Sequence, residues 1–507
     1  MSTNKLYVIG VGGSGAKCLE SMIHFAATGL LGDSKLELLL VDPDESNGNV
    51  ERTRNSLNIY QNCQQLVNAG DKAISSGWMG TTIKYHGLWS PFAQESQNRE
   101  LGSFFRYSTL RSNEPALSSL FDVLYSSEER TQTLDEGFRG RPSIGSAVMS
   151  QIDMRRLGEA PWSTLIQSIE ADAGSGQNPK ILLCGSMFGG TGASGLPTIA
   201  KLINNCLNPP GESKNIRGAV RLGCVFLLPY FSFTVPPDAE SNEGLFASAD
   251  HFLLNTEAAL RYYVDRSGDL FDSIYLLGNE STEAVKFSVG RGTQNNQPHF
   301  IELMAALGAR DFLLNDRTDS LMLLSRQQQG LVTWRDLPDW PNVKKLMANS
   351  TRLSYIWLSE IEKELEQART QGFNRYGKLA PWLDRYYDSG DRGESTFKFD
   401  TPHQQEAIKI ISTWSRDYLR WINSLHQCES DRVELFKTQS FGDASGNIRR
   451  DSLSDLIVED TRDPRTKKQQ DDLANIKGGL DNRRREEIDR GTAGLAKALY
   501  KQVNLGC

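Results

Sequence analysis

No two of the seven cysteines stand in a C-x-x-C pair. They are scattered at positions 18, 63, 184, 206, 224, 428 and 507, mostly in apolar surroundings. They read as reduced thiols of a cytoplasmic protein and argue against a zinc site. The last of them is the final residue, so it is not a C-a-a-X prenylation signal. No apolar run approaches the roughly 20 residues of a membrane span. Basic residues do not outnumber acidic ones: 56 Lys and Arg face 63 Asp and Glu, a net charge of −7. That balance argues against nucleic acid as an obligate partner. No lysine-bearing phosphate loop of the form G-x-x-x-x-G-K-[ST] occurs, and no internal repeat is visible. The start, "MSTNKLYVIGVGG", runs directly into an apolar strand and does not read as a leader.

What is present is glycine in two clusters. The first is Gly10-Val11-Gly12-Gly13-Ser14-Gly15, a G-x-G-x-x-G run between the apolar stretch Leu6–Ile9 and a segment of helical period. A second apolar strand then ends at Asp42 in "KLELLLVDPDES". This is strand, glycine turn, helix, strand: a βαβ unit opening an α/β sheet. The second cluster is Phe188-Gly189-Gly190-Thr191-Gly192-Ala193-Ser194-Gly195, again after a strand ("KILLCGS") and before a helix. Glycine turns at helix starts let backbone N–H groups approach phosphate oxygens, and Thr191 and Ser194 add hydroxyls. Two such turns at one sheet edge would cradle a polyphosphate. With no loop lysine, backbone dipoles and a metal ion must meet its charge.

The rest of the chain divides by pattern. Residues from about 61 to 136 lack a clear period and read as an insertion. "AVRLGCVFLLPYFSF" and "LFDSIYLLGN" read as strands. "FASADHFLLNTEAALRYYVD" reads as a helix, and "PHFIELMAALGARDFLLN" as a helix with proline in its first turn. Beyond Leu353 helical segments dominate, and residues 461–490 carry dense charge of both signs. The expected organisation is a nucleotide-binding unit over 1–330, a helical unit over 331–460 and a charged helical tail over 461–507.

These glycine loops resemble the signatures of the tubulin/FtsZ superfamily, and within it a divergent bacterial group of tubulin-like proteins, over roughly residues 5–345. The Phe188–Gly195 run looks like G-G-G-T-G-S-G with Phe188 at the first glycine, and "GVGGSG" is similar to the first FtsZ loop. The resemblance implies a Rossmann-like parallel sheet that binds GTP or GDP with Mg²⁺. It implies phosphate contacts at Gly10, Gly12, Gly13, Ser14, Gly15, Gly189, Gly190, Thr191, Gly192 and Ser194. It puts Asp44 beside the phosphates and the metal, and Gly140 and Ser143 in the loop that senses the terminal phosphate. Asn255 falls on the base edge, with His299 and Phe300 stacking there. "LLPYFSF" falls near the ribose. In that family the next subunit supplies acids from N-x-D-F-x-D. Here Asp336-Leu337-Pro338-Asp339 matches, with Trp334 in place of the asparagine; Glu302 competes for the last acid. The resemblance therefore implies head-to-tail self-association and slow GTP hydrolysis. The family's second domain is a mixed sheet with helices, whereas this C-terminal part reads as mainly helical and suited to protein partners.

Three other readings compete. An adenylating enzyme would use "GVGGSG" and "DPDESN", but the Ser46-Asn47 spacing is short and zinc-binding cysteine pairs are missing. An NAD-type dehydrogenase would use Asp42 on the ribose. Neither explains Gly189–Gly195. A nucleotide-held scaffold that does not hydrolyse is favoured by Trp334 and the altered C-terminal part.

Overall fold

The apolar runs on either side of the first glycine cluster are buried on both faces, as strands between two helix layers must be. In the computed structural model, β1 (Lys5–Val11) lies between β2 (Lys35–Val41) and β4 (Lys180–Ser186), parallel to both. The sheet is completed by β3 (Thr82–Trp89), β5 (Arg221–Leu227) and an edge strand, β7 (Ser273–Leu277). Its order is β3-β2-β1-β4-β5-β7 and every pairing is parallel. The structure describes residues 4–70, 77–92, 100–134, 137–138, 140–152, 158–209, 215–234, 251–267, 270–286, 292, 294–316, 328–388, 397–428, 430–441, 453–481 and 489–504.

Helices cover both faces. On one lie α1 (Gly12–Thr28) and α2 (Gly48–Asn68), with the later helix α7 (Phe300–Leu314). Their core joins Leu19, Met22, Leu182 and Phe312 and runs on into the C-terminal helices through Met347, Trp414, Trp421 and Leu499. Those residues belong to α8 (Trp340–Ile356), α9 (Pro402–His426) and α10 (Gly491–Val503). On the other face are α3 (Pro142–Met149), α4 (Trp162–Gly174), α5 (Gly190–Leu207) and α6 (Phe252–Ser267), around Ile9, Leu183, Leu196 and Phe226. The chain is thus an α/β protein with a Rossmann-like parallel sheet and a mainly helical C-terminal region. No described helix is long and apolar enough to cross a membrane.

Several sequence expectations need correction. The insertion does not begin near residue 61, which lies inside α2. Thr82–Trp89 belongs to the main sheet, paired with β2, and four short helices between Leu101 and Thr131 stand apart from that sheet. The run from Ala219 to Phe233 is two strands, because Pro229 interrupts it. β6 (Phe231–Thr234) leaves the main sheet to pair with β8 (Glu283–Lys286). Pro298 precedes the cap residue His299 and lies outside α7. The first residues of the predicted 246–265 helix, 246–250, and Cys507 lie outside the described residues.

Candidate functional site

Strand order reverses between β1 and β4, with β2 beyond one and β5 beyond the other. At such a point successive connections diverge and leave a crevice at the carboxyl ends of the strands, where doubly wound proteins bind ligands. Both glycine clusters fall there. β1 passes directly into α1, and three residues carry β4 into α5. The cap residues Val11 and Gly189 give no side-chain bond to the first-turn N–H groups. Helices of 17 and 18 residues therefore begin at the crevice with backbone donors uncapped and a partial positive charge. The turns touch: a Cβ on Gly12 would lie 3.2 Å from Thr191 Cβ, and Gly12 has φ +75°.

The ten loop residues expected to meet phosphate separate into two groups. Packing of chain on chain already demands four of the glycines. A Cβ on Gly15 would stand 2.5 Å from the Cys184 carbonyl oxygen, and one on Gly192 2.3 Å from that of Ser186. Gly10 is closed by Leu19 and Gly190 by Phe138. The Ser194 hydroxyl donates back to the Gly190 carbonyl at 2.6 Å, and Ser14 bonds the Tyr230 hydroxyl. Gly13, Gly189 and Thr191 are half-buried at the mouth of the crevice, and Gly12 joins the two turns.

The loop after β2 adds acid. Asp42 and Asp44 are both buried. The Asp44 N–H donates to Asp42 Oδ1 at 3.0 Å, and Asp44 Oδ1 accepts from the N–H and hydroxyl of Ser46. Asp42 Oδ2 is buried without a hydrogen-bond partner. Burial, with Asp44 beside it, pushes the Asp42 carboxyl up to about 8. Hard carboxylate oxygens, one of them orphaned, fit a magnesium ion in chemistry. Asp42 is the member of this pair that the resemblance did not single out; its place at the end of β2 was the available signal.

Of the third loop, Gly140 has φ +70° and Ser143 is exposed at the start of α3. Asn255 ties this loop to the second glycine turn: its Nδ2 donates to the carbonyls of Gly140 (3.1 Å) and Phe188 (3.2 Å). The Phe188 ring packs into a cluster with Tyr230, Phe231 and Phe252, at centroid distances of 6.1, 5.2 and 4.8 Å. His299 and Phe300 are buried against each other. Glu302 is sealed in the core, where it accepts from the Tyr230 hydroxyl (2.6 Å) and the His299 N–H (2.9 Å) and pairs with Lys17 (2.5 Å). That burial removes Glu302 as an acid presented to a neighbouring subunit. Lys17 and Tyr230 went unassigned in the sequence; the charged residue within the apolar stretch "GAKCLESMIHF" was the signal.

His299 also meets Cys428 and Glu283, a grouping with metal-ligand chemistry. Its Nδ1 accepts from the Ile301 N–H, so its proton sits on Nε2, which faces Cys428 Sγ at 3.2 Å. The thiol in turn donates to Glu283 Oε2 at 3.2 Å. Burial, with Glu283 nearby, pushes that thiol up to about 11. With the ring's lone pair used by the helix cap, this is a hydrogen-bonded chain that offers a metal no imidazole nitrogen.

The candidate acids lie on the loop before α8. Asp336 Oδ2 accepts from the N–H (2.7 Å) and hydroxyl (2.8 Å) of Thr333, closing a single turn over Trp334–Asp336. Asp339 is half exposed, takes φ +51° at the start of α8, and pairs with Arg310 at 2.7 Å. Trp334 is fully buried, its indole N–H on the Val458 carbonyl.

No protein-family model matches the chain, and no curated protein does. Among solved structures, CetZ from Methanosaeta thermophila strain DSM 6194 is similar at 14% identity and a TM-score of 0.26. The similarity covers 60% of this chain and 52% of that one, so the chain spans about half the length of the structure it matches.

Proposed function

We propose that the chain is a tubulin/FtsZ-like nucleotide-binding protein that takes GTP or GDP with Mg²⁺ in the crevice between β1 and β4. The observation that carries this reading is the meeting of two uncapped, glycine-started helices at the strand-order reversal, in contact through Gly12 and Thr191. Gly12, Gly13, Gly189 and Thr191 would meet phosphate. Asp42 and Asp44 would hold the metal, which supplies charge neutralisation of the phosphate chain.

Hydrolysis needs an acid to orient water. Asp339 is the better placed, being half exposed and held by a salt bridge. Asp336 would have to leave Thr333 first. Neither belongs to the crevice residues, so turnover rests on self-association that brings this loop to a second copy. A scaffold reading, with nucleotide bound but not hydrolysed and partners on the C-terminal helices, is favoured by the commitment of Asp336 to its own turn.

GTP turnover measured against protein concentration, with light scattering on the same samples, separates the two. Rate per molecule and scattering that rise together support assembly-coupled hydrolysis. Binding with flat, negligible turnover supports the scaffold.

A further inference from the structure

We infer that the crevice recognises the phosphate chain of a nucleoside triphosphate and leaves the base unread, so that purine nucleotides bind alike. This rests on the nucleotide reading above and specifies its ligand. The side chains that the sequence resemblance places around a base are all spent on the protein itself. Both hydrogens of the Asn255 amide are directed to backbone carbonyls, Gly140 and Phe188. An asparagine discriminates guanine by donating to O6 while accepting from N1–H. Once both donors are used, only an acceptor is left for a ligand. An acceptor takes an N–H from guanine N1 or from adenine N6 equally well.

The neighbouring groups repeat the pattern. His299 accepts the Ile301 N–H at one nitrogen and meets Cys428 with the other. The Tyr230 hydroxyl and the Lys17 ammonium both end on Glu302 Oε1. Phe188, Phe252 and Phe300 are buried rings with no polar edge. Strong discrimination requires buried polar groups that only the right ligand satisfies, whereas an apolar wall separates similar ligands weakly. Breaking the Lys17–Glu302 pair to free a base-reading group would strand a buried charge. The phosphate side is different. There the donors are uncapped backbone N–H groups of two helices, beside a buried carboxylate oxygen without a partner.

The test is a binding panel on the full chain with Mg²⁺: GTP, ATP and inorganic tripolyphosphate, each displacing a fluorescent GTP analogue. GTP and ATP should fall within about tenfold of one another, and tripolyphosphate should compete. GTP binding at least 100-fold tighter than ATP, with no competition by tripolyphosphate, would overturn the inference while leaving the nucleotide reading intact. Absence of binding by all three would remove the crevice as a nucleotide site, and the inference with it. Asn255→Ala supplies an internal control. As a loop tie, its loss lowers GTP and ATP affinity together. A fall for GTP alone would show that Asn255 reads guanine and overturn the inference.

Discussion

Lys17 Nζ stands 2.5 Å from Glu302 Oε1, and almost nothing of either side chain reaches solvent. The pair joins α1, which opens the first glycine turn, to α7, and the Lys17 ammonium also lies over the Tyr230 ring at 5.5 Å. Removing one partner of a buried pair strands the other. Lys17→Met should therefore cost about 3–5 kcal/mol. Lys17→Met with Glu302→Gln should recover part of that loss, since no naked charge remains. Denaturant midpoints of the wild type, both single variants and the double variant form a cycle. Strictly additive losses would show that the two residues are not coupled.

The glycine clusters mix two jobs, and substitution should separate them. At Gly15 a methyl group would press on the Cys184 carbonyl at 2.5 Å. Gly15→Ala should destabilise the ligand-free protein by about 1–3 kcal/mol through overpacking. Thr191 is half-buried at the crevice mouth. Thr191→Val should leave the midpoint within about 0.5 kcal/mol and weaken GTP binding by roughly tenfold or more, the worth of one bond to a charged group. Gly190 makes a poor probe of binding, because a Cβ there meets Phe138 at 2.7 Å and disturbs the fold as well. Equal GTP affinity in Thr191→Val and wild type would take that hydroxyl out of the site.

The two loop acids should behave differently. Asp336→Ala loses the contacts to Thr333, so its main effect is on stability, about 1 kcal/mol for a lost cap. Asp339→Ala loses an ion pair that is half exposed on the aspartate side, worth at most about 1 kcal/mol. If Asp339 orients the water in an assembled neighbour, Asp339→Ala binds GTP normally and turns it over at least tenfold more slowly. Unchanged turnover with normal assembly would exclude it.

The sheet was legible because each of its long strands is a continuous apolar run ending in a glycine or aspartate, the pattern of strands buried on both faces. Both glycine turns were legible for the same reason. What was hidden is how each polar residue is spent. Asn255, His299 and Glu302 look like ligand-facing groups in one dimension. Their partners, the carbonyls of Gly140 and Phe188, Cys428 and Lys17, lie more than 60 residues away. Strand β3 was missed because it is half exposed, carries His86 and Gly87, and follows a long helix. A period-based reading sees only mixed polarity there.

Three buried histidines should make the fold acid-labile well above the carboxylate range. Burial holds His24 and His426 down to about 4, and burial with Lys17 nearby holds His299 to about 3. The geometry agrees for two of them. His426 Nε2 accepts from the N–H groups of Leu435 and Phe436, and His299 Nδ1 from that of Ile301, so a proton on either nitrogen would face a donor. His24 stacks on Trp421 at 4.7 Å, with Asp417 3.9 Å away, and Glu20, Arg52 and Arg420 also bear on it. A folded pKa below the unfolded value near 6.5 means that the unfolded chain takes up protons first. The stability these residues contribute is therefore complete above pH 6.5 and is lost as pH falls toward 4, at up to about 1.4 kcal/mol per pH unit for each. Denaturant midpoints should hold between pH 8 and 7 and drop steeply between pH 6 and 5. Glu37 opens a second, lower window. Despite its burial, bonds from His86 and Lys5 hold its carboxyl down to about 2, so its contribution is lost between pH 4.5 and 2. A midpoint that stays level from pH 7 to pH 5 would mean that the three imidazoles are not neutral and enclosed in the native state.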